Sequence, residues 1–409
     1  MTNKKTNKLK ILNDPIYGFI SIPNALIYDL IEHSYFQRLR RVSQMGLSNL
    51  VYPGANHTRF HHAIGSMHLM QKAVQILRFK GVVISEDEAE AVYIAILLHD
   101  IGHGPFSHAL EHSIVKNIHH ETISLKFMER LNEEFDNKLS LAIAIFKGNY
   151  YKKFLHQLIS SQLDMDRLDY LKRDSFYTGV AEGNINSERL IAMLNVVDDC
   201  LVIEEKGIYS VEKFLVARRL MYWQVYLHKT GLGAEKLLEK VLKRAKELSL
   251  KGHKLPASKA FSYFLQNEIS EDNFTLKTLK TFARLDDYDV LSAIKDWISY
   301  DDKILSKLAE SVINRKLPKV LLQSTPITTN FKNEIKEKVN ANLKLSPAQL
   351  NYFVYYGKVC NQAYNSEIDT IKILYKNGAL KDIAKASDHF NIQTLANPVY
   401  KYYLCYPKK

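Results

Sequence analysis

Residues 85–105 read SEDEAEAVYIAILLHDIGHGP, and the fold turns on this stretch. Ser85 with Glu88 three positions on is a capping box, which predicts a helix start. From Ala89 the segment is apolar on nearly every side, through Val92, Ile94, Ala95, Ile96, Leu97 and Leu98, as a helix buried in a core must be. It runs into His99, Asp100 and the breakers Gly102, Gly104 and Pro105, so imidazole and carboxylate groups sit at the mouth of a buried element.

Outward from there the chain reads as mainly α. Helical periodicity recurs at about 120 to 135, 155 to 175, 187 to 197, 211 to 248 and 303 to 315. GHKLPAS (252–258) and KLPKVLLQSTPITTN (316–330) read as loops. From about residue 350 the pattern changes to β-rich runs, FVYYGKV and IKILY, an Asn377-Gly378 turn and the tail VYKYYLCY. The expected organisation is a helical core over 1–250, a helical extension over 251–345 and a small α/β appendage over 346–409. No internal repeat or low-complexity tract interrupts it.

With 46% apolar and 24% charged residues over 409, the composition is that of a folded globular protein and excludes a disordered one. MTNKKTNKLKI lacks the apolar core of a signal peptide, and runs such as YIAILL are too short to span a bilayer, so a cytoplasmic protein without membrane partners is expected. Three cysteines, Cys200, Cys360 and Cys405, lie far apart and support neither a disulfide framework nor a thiolate zinc site. A net charge of +12 attracts nucleic acid, anionic lipid or polyphosphate equally, and lysines scattered as in KVLKRAKELSLKGHK fit a solvated basic surface just as well.

Ten of the fifteen histidines fall between His57 and His120, a density that lifts them above the usual structural role. The best ligand set is His62 in TRFHHAIG, the adjacent His99 and Asp100, and Asp166 in LDMDRLDYLKRD. Two imidazoles and two carboxylates suit a divalent ion such as Mn, Fe, Co, Ni, Zn or Mg and leave open positions on it, as catalysis requires. Asp166, Tyr170 and Asp174 recur at i, i+4 and i+8, so they share one helix face. Arg218, Tyr222 and Tyr226 form a similar stripe, which read alone is core packing more often than a site.

Six motifs in order, KILNDPIYG, FQRLRRVSQMG, YPGANHTRFHHAIG, LLHDIGHGPFSHALE, HHETIS and LDMDRLDYLKRDSFYTG, cover about residues 10 to 230. The chain resembles the HD-domain phosphohydrolases, and in this order its motifs are similar to the deoxynucleoside triphosphate triphosphohydrolases, the group of the vertebrate sterile-alpha-motif/HD enzyme and its bacterial relatives. The GYP signature of cyclic-di-GMP phosphodiesterases is missing from the sequence. The resemblance implies an HD-domain helical core in which His62, His99, Asp100 and Asp166 hold the metal. It also implies that His103, His108, Glu111 and His120 surround the scissile phosphate, with His108 the acid for the leaving 5′-oxygen, oriented by Glu111. Arg59, Arg167 and Arg218 become phosphate contacts, and Tyr170 and Asp174 sugar contacts, with Asp174 accepting from the 3′-hydroxyl. Tyr226 becomes a wall against a 2′-hydroxyl, Tyr222 a base or phosphate contact, and Gln44 a residue near the sugar. His57, His112 and His119 are set aside as structural or surface residues.

The resemblance further implies a homotetramer switched on by a nucleotide bound between subunits. The matching positions are Lys10, Gln37, Arg38 and Arg40, with Glu32 as the base-reading carboxylate. Without the resemblance, FQRLRR is the solvated basic side of a helix. The expected reaction is cleavage of dNTPs to deoxynucleoside and inorganic triphosphate. Alternatives are hydrolysis of mono-, di- or alarmone nucleotides, or nucleic-acid binding around a vestigial site, although no RRM, KH or helix-turn-helix signature is present.

Overall fold

The computed structural model describes residues 10–106, 109–110, 114–115, 118–368, 370–388 and 395–408. Helices dominate, and three of them build the centre. Helix α1 (Arg59–Phe79) packs against α2 (Glu86–Leu98). After α3 (His120–Glu134) comes α4 (Met165–Thr178), which packs on the other flank of α1. Ile64, Met67, Ala95, Leu98, Leu168 and Leu171 fill the space between them.

The start of α2 follows from its capping box. Ser85 Oγ accepts from the Glu88 amide at 3.1 Å, and the Glu88 carboxylate accepts from the Ser85 amide at 2.8 Å. The expected helix over 155 to 175 is two helices, because Asp164 caps a new one: its Oδ1 accepts from the Arg167 amide at 2.7 Å. That cap puts Asp166 in the first turn of α4, and the helix ends at Gly179 with φ +74°.

Downstream lie α5 (Ile208–Met221) and α6 (Lys229–Leu250). The continuous helix expected over 211 to 248 is broken between them by a π-turn at Tyr222–Tyr226, closed by the Leu227 amide on the Tyr222 carbonyl at 2.7 Å. Helices α7 (Asp287–Trp297) and α8 (Lys303–Ile313) pack together and α8 packs on α6; α9 (Thr329–Leu343) follows. The buried Trp297 indole donates to the Pro256 carbonyl at 2.9 Å.

The strands make three small sheets. β1 (Ile11–Asp14) and β2 (Gly18–Ser21) form an N-terminal hairpin. β3 (Leu194–Val197) occupies the end of a segment expected to be helical and pairs with β4 (Cys200–Glu204); Asp198 and Asp199 both take positive φ, the hairpin geometry that their short side chains tolerate. β5 (Lys319–Gln323) and β6 (Tyr355–Asn361) flank β9 (Val399–Tyr406) on either side. β7 (Lys372–Leu374) and β8 (Leu380–Asp382) are joined through the anticipated Asn377-Gly378 turn, with Gly378 at φ +82°. β7 pairs in parallel with β4, Val202 opposite Lys372, giving the order β3-β4-β7-β8. The small C-terminal α/β appendage is present, and its strands pair with β4 of the core and with β5 of the helical extension. Among the described residues no helix is long and apolar enough to cross a membrane.

Candidate metal centre and adjoining cavity

His62 lies in the first turn of α1, His99 and Asp100 follow the last turn of α2, and Asp166 lies in the first turn of α4. His62 Nε2 is 3.0 Å from Asp166 Oδ1 and 3.4 Å from His99 Nε2. His99 Nε2 is 3.4 Å from Asp100 Oδ1 and 3.5 Å from Asp166 Oδ1. Neighbouring donors on an octahedral ion with bonds of about 2.1 Å lie about 3.0 Å apart, so His62, His99 and Asp166 fit around one divalent cation, while Asp100, beside them, groups with His103 and His120 in a second set of donors.

The ring orientations make the same point. His99 Nδ1 is 2.6 Å from the Ile96 carbonyl, an acceptor only, so that nitrogen carries hydrogen. His62 Nδ1 is 2.8 Å from Asp169 Oδ2 and donates likewise. The two neutral rings then aim Nε2 lone pairs at one point, where a cation satisfies both. Before a cation binds, the surrounding carboxylates favour protonated rings, whose protons a cation would displace. Burial alone would depress His62, but Asp166 and Asp169 outweigh it and raise its pKa to about 10. His99 is raised against burial by Asp100 and Asp166. Asp100 and Asp166 are driven well below the carboxylate range despite burial, chiefly by His99 for the first and by His62 and His99 for the second.

Sequence reasoning missed the residues that hold this set. Asp169 receives Arg173 Nε at 2.8 Å and Nη2 at 2.9 Å, while Arg173 Nη1 reaches Asp14 Oδ2 at 2.8 Å. Arg173 and Asp169 are fully buried. At Gly65 a Cβ would lie 2.1 Å from Arg173 Nη2 and 2.2 Å from Asp169 Oδ1, so glycine is needed for this pair to nest against α1. The i, i+4 spacing of Asp169 and Arg173 was a readable signal; their link to Asp14 was not. Ser124 accepts from the Gly102 amide at 2.9 Å and donates to the His99 carbonyl at 2.6 Å, pinning the turn that carries His99 and Asp100.

Arg59 donates to Asp100 Oδ2, and His103 Nε2 is 3.3 Å from Asp100 Oδ1. His103 stacks on His120 with centroids 3.8 Å apart. Burial and the Arg59 charge push His103 down to about 3, so it stays neutral at ordinary pH. His108 and Glu111 lie outside the described residues.

A cavity of about 520 Å³ opens on this cluster. Asp100, Asp166, His103, His120, Arg59 and Arg167 line its polar end, and Tyr170, Asp174, Tyr222, Tyr226 and Gln44 also form its walls. The π-turn presents Tyr222 and Tyr226 edge to face, 5.1 Å apart, with Tyr226 also 6.1 Å from Tyr170. Burial raises Tyr170 and Tyr226 well above the phenol range, so both keep their protons. Tyr226 donates to Asp174 Oδ2 at 2.7 Å. Arg218 does not line the cavity, though its charge acts on Tyr170; among the described residues its Nε and Nη1 are buried without a hydrogen-bond partner.

The positions matched to an activator divide. Lys10 is exposed with its ammonium 3.8 Å over the Tyr28 ring, and Glu32 is exposed. Gln37 donates to the Ile31 carbonyl at 2.8 Å and accepts from Arg40 Nε at 2.8 Å, while Arg40 stacks on Phe60. Arg38 points the other way. It is fully buried between Phe127 and Phe282, donating to the Ile101 carbonyl at 2.6 Å and the Leu285 carbonyl at 3.2 Å. Its guanidinium ties the turn after α2 to the helical extension and faces no solvent.

The convergence of three helix ends on paired histidines and aspartates defines an HD domain, and comparison with known proteins agrees. The HD domain family matches residues 59–174, and the HD associated region matches residues 185–263. The chain is 32% identical over 403 residues to the uncharacterized protein YwfO of Bacillus subtilis, covering 94% of this chain and 89% of that protein. It is 30% identical over 350 residues to the deoxynucleoside triphosphate triphosphohydrolase SAMHD1 homolog of Dictyostelium discoideum, covering 79% of this chain and 67% of that protein. The crystal structure of a phosphohydrolase from Bacteroides thetaiotaomicron matches with a TM-score of 0.94 at 53% identity, over 98% of this chain and 100% of that one. This chain belongs to the HD-domain phosphohydrolases, and within them to those whose HD domain is followed by the HD-associated region.

Proposed function

We propose that this hydrolase cleaves deoxynucleoside triphosphates to deoxynucleoside and inorganic triphosphate. The observation that carries the reading is a single cavity that runs from Asp100 and Asp166 to the bonded pair of Asp174 and Tyr226. A divalent ion held by His62, His99, Asp100 and Asp166 would supply charge neutralisation and an activated water. Arg59 and Arg167, which line the cavity, are suited to phosphoryl oxygens through their planar donor forks, whereas Arg218 is outside the lining. His103 and His120, stacked at the polar end, serve as hydrogen-bonding groups for the phosphate, and His108, oriented by Glu111, is assigned as acid for the leaving 5′-oxygen. Asp174 takes the 3′-hydroxyl, Tyr170 and Tyr226 wall the sugar, and Tyr222 and Gln44 complete the pocket.

Incubating the metal-loaded protein with a nucleotide panel and identifying products tests this. Nucleoside and triphosphate are expected. Pyrophosphate or orthophosphate as first product would favour the reading as a phosphohydrolase of other nucleotides. Salt-dependent binding of single-stranded nucleic acid without hydrolysis would favour a binding protein.

We also propose activation by GTP or dGTP in a homotetramer. The exposure of Lys10, Glu32 and Arg40, with Gln37 bonded to Arg40, supports a polar site on that surface. Arg38 is too deeply committed to take part directly.

A further inference from the structure

Asp174 is 3% exposed, and both of its oxygens are held from the protein side. Tyr226 donates to Oδ2 at 2.7 Å, and His57 Nε2 lies 2.6 Å from Oδ1. His57 is 1% exposed, and its ring stacks on Tyr177 at 4.4 Å with the planes 17° apart. The loop that carries it is anchored on two sides. Tyr52 donates to the Gln224 carbonyl, inside the π-turn that presents Tyr226. Gly54 passes so close to the end of α4 that a Cβ there would lie 2.5 Å from the Tyr177 carbonyl oxygen. One short loop therefore supplies the first donor to Asp174 and braces the turn that supplies the second.

From these contacts we infer that His57 is a positioning residue for sugar recognition, fixing the Asp174 carboxylate so that its free lone pairs face a 3′-hydroxyl in the cavity. The inference rests on the dNTP reading above. A carboxylate offers about four acceptor directions, and His57 and Tyr226 take two of them. Rotation about the terminal torsion of an aspartate is soft, so an unbraced Asp174 would meet the hydroxyl in many orientations. Two donors behind it remove that freedom before substrate arrives. The preferred ligand is a nucleotide with a free 3′-hydroxyl, and its 3′-deoxy analogue forgoes a hydrogen bond to a charged carboxylate, a loss of about ten- to hundredfold.

The test compares kcat/KM on dATP and on 2′,3′-dideoxy-ATP in the unmodified protein and in His57→Phe, His57→Gln and Gly54→Ala, with metal content measured in each. The unmodified protein is expected to prefer dATP by that factor. His57→Phe keeps a ring on Tyr177 but cannot donate, and should bring the ratio close to one at unchanged metal content. His57→Gln, whose amide can donate to Asp174, should restore most of the preference. Gly54→Ala displaces the loop and should lower the ratio without altering either side chain. A drop on both substrates by the same factor in His57→Phe, or a ratio that stays as in the unmodified protein, overturns the assignment and leaves His57 structural. Absence of dATP turnover in the unmodified protein overturns the substrate reading itself, and the assignment with it.

Discussion

His62 donates from Nδ1 to Asp169 Oδ2 at 2.8 Å, so a ring that faces the candidate metal position is turned and held by a carboxylate outside the candidate ligands. Arg173 keeps that carboxylate charged: against its burial, the guanidinium and His62 hold Asp169 at about 2. Asp14 in β1 completes the chain of contacts, which couples the N-terminal hairpin to the centre.

Asp169→Asn preserves shape and removes the charge. Metal affinity should fall by about 10- to 100-fold, as when outer partners of metal-bound histidines are changed. Asp169→Ala should in addition destabilise the fold by about 3–5 kcal/mol, because Arg173 loses one of two buried partners. Metal titration by calorimetry and thermal melts check both; full affinity in Asp169→Asn would remove Asp169 from the account.

Replacing His99 and Asp100 together by Ala should abolish bound metal and hydrolysis while the protein stays helical. Elemental analysis and circular dichroism read the two outcomes separately. Full metal content in the double variant would refute the ligand assignment.

Metal loading should depend on pH with a definite sign. His62, raised to about 10, and His99, also raised, hold protons near neutral pH that a metal must displace, so apparent affinity should climb as pH rises toward about 10. Stability of the metal-free protein runs oppositely for these groups. The His62 contribution is complete below the unfolded value of about 6.5 and is lost as pH rises through about 10. Asp166, whose pKa is lowered, contributes above about pH 4 and loses that contribution on acidification. Metal titrations across this range and melts of chelator-treated protein provide the measurements; an affinity flat between about pH 6 and 8 would contradict the assignment.

If Tyr226 walls off the 2′ position, dATP should be cleaved about 100-fold faster than ATP, and Tyr226→Ala should narrow the gap to a few-fold. Equal rates in the unmodified protein would end this claim.

Added dGTP should raise both particle mass by light scattering and the rate on dATP, and Arg40→Ala should remove both effects. Arg38→Ala should act differently, costing about 1–3 kcal/mol of stability by stranding the carbonyls of Ile101 and Leu285. Constant mass and a rate indifferent to dGTP would leave Arg40 as surface charge.

The places of the candidate ligands could be read from sequence where local rules govern them. A capping box starts α2 and a glycine and proline cluster ends it, so His99 and Asp100 take their places from their immediate neighbours, whereas the Asp164 cap that starts the helix of Asp166 went unread. Residues placed by distant partners were not legible. FQRLRR reads as a solvated basic run, yet Arg38 is buried because Leu285, far along the chain, offers it a carbonyl. His57 looked like any loop histidine until α4 brought Asp174 beside it. The π-turn that aims Tyr222 and Tyr226 carries no periodic signature, since one helical pattern fits both of its flanks.

The parallel pairing of Val202 with Lys372 sets the schedule on which this molecule is finished. A ribosome that has released α6 has already made His62, His99, Asp100 and Asp166, yet the strand that covers β4 is still to be translated. Until it arrives, β4 offers an open edge to any neighbouring nascent chain. Pairing across so long a loop is slow to find, so the exposure lasts. A chain truncated ahead of Lys372 would thus carry every candidate ligand but leave that edge of β4 unpaired and open to association.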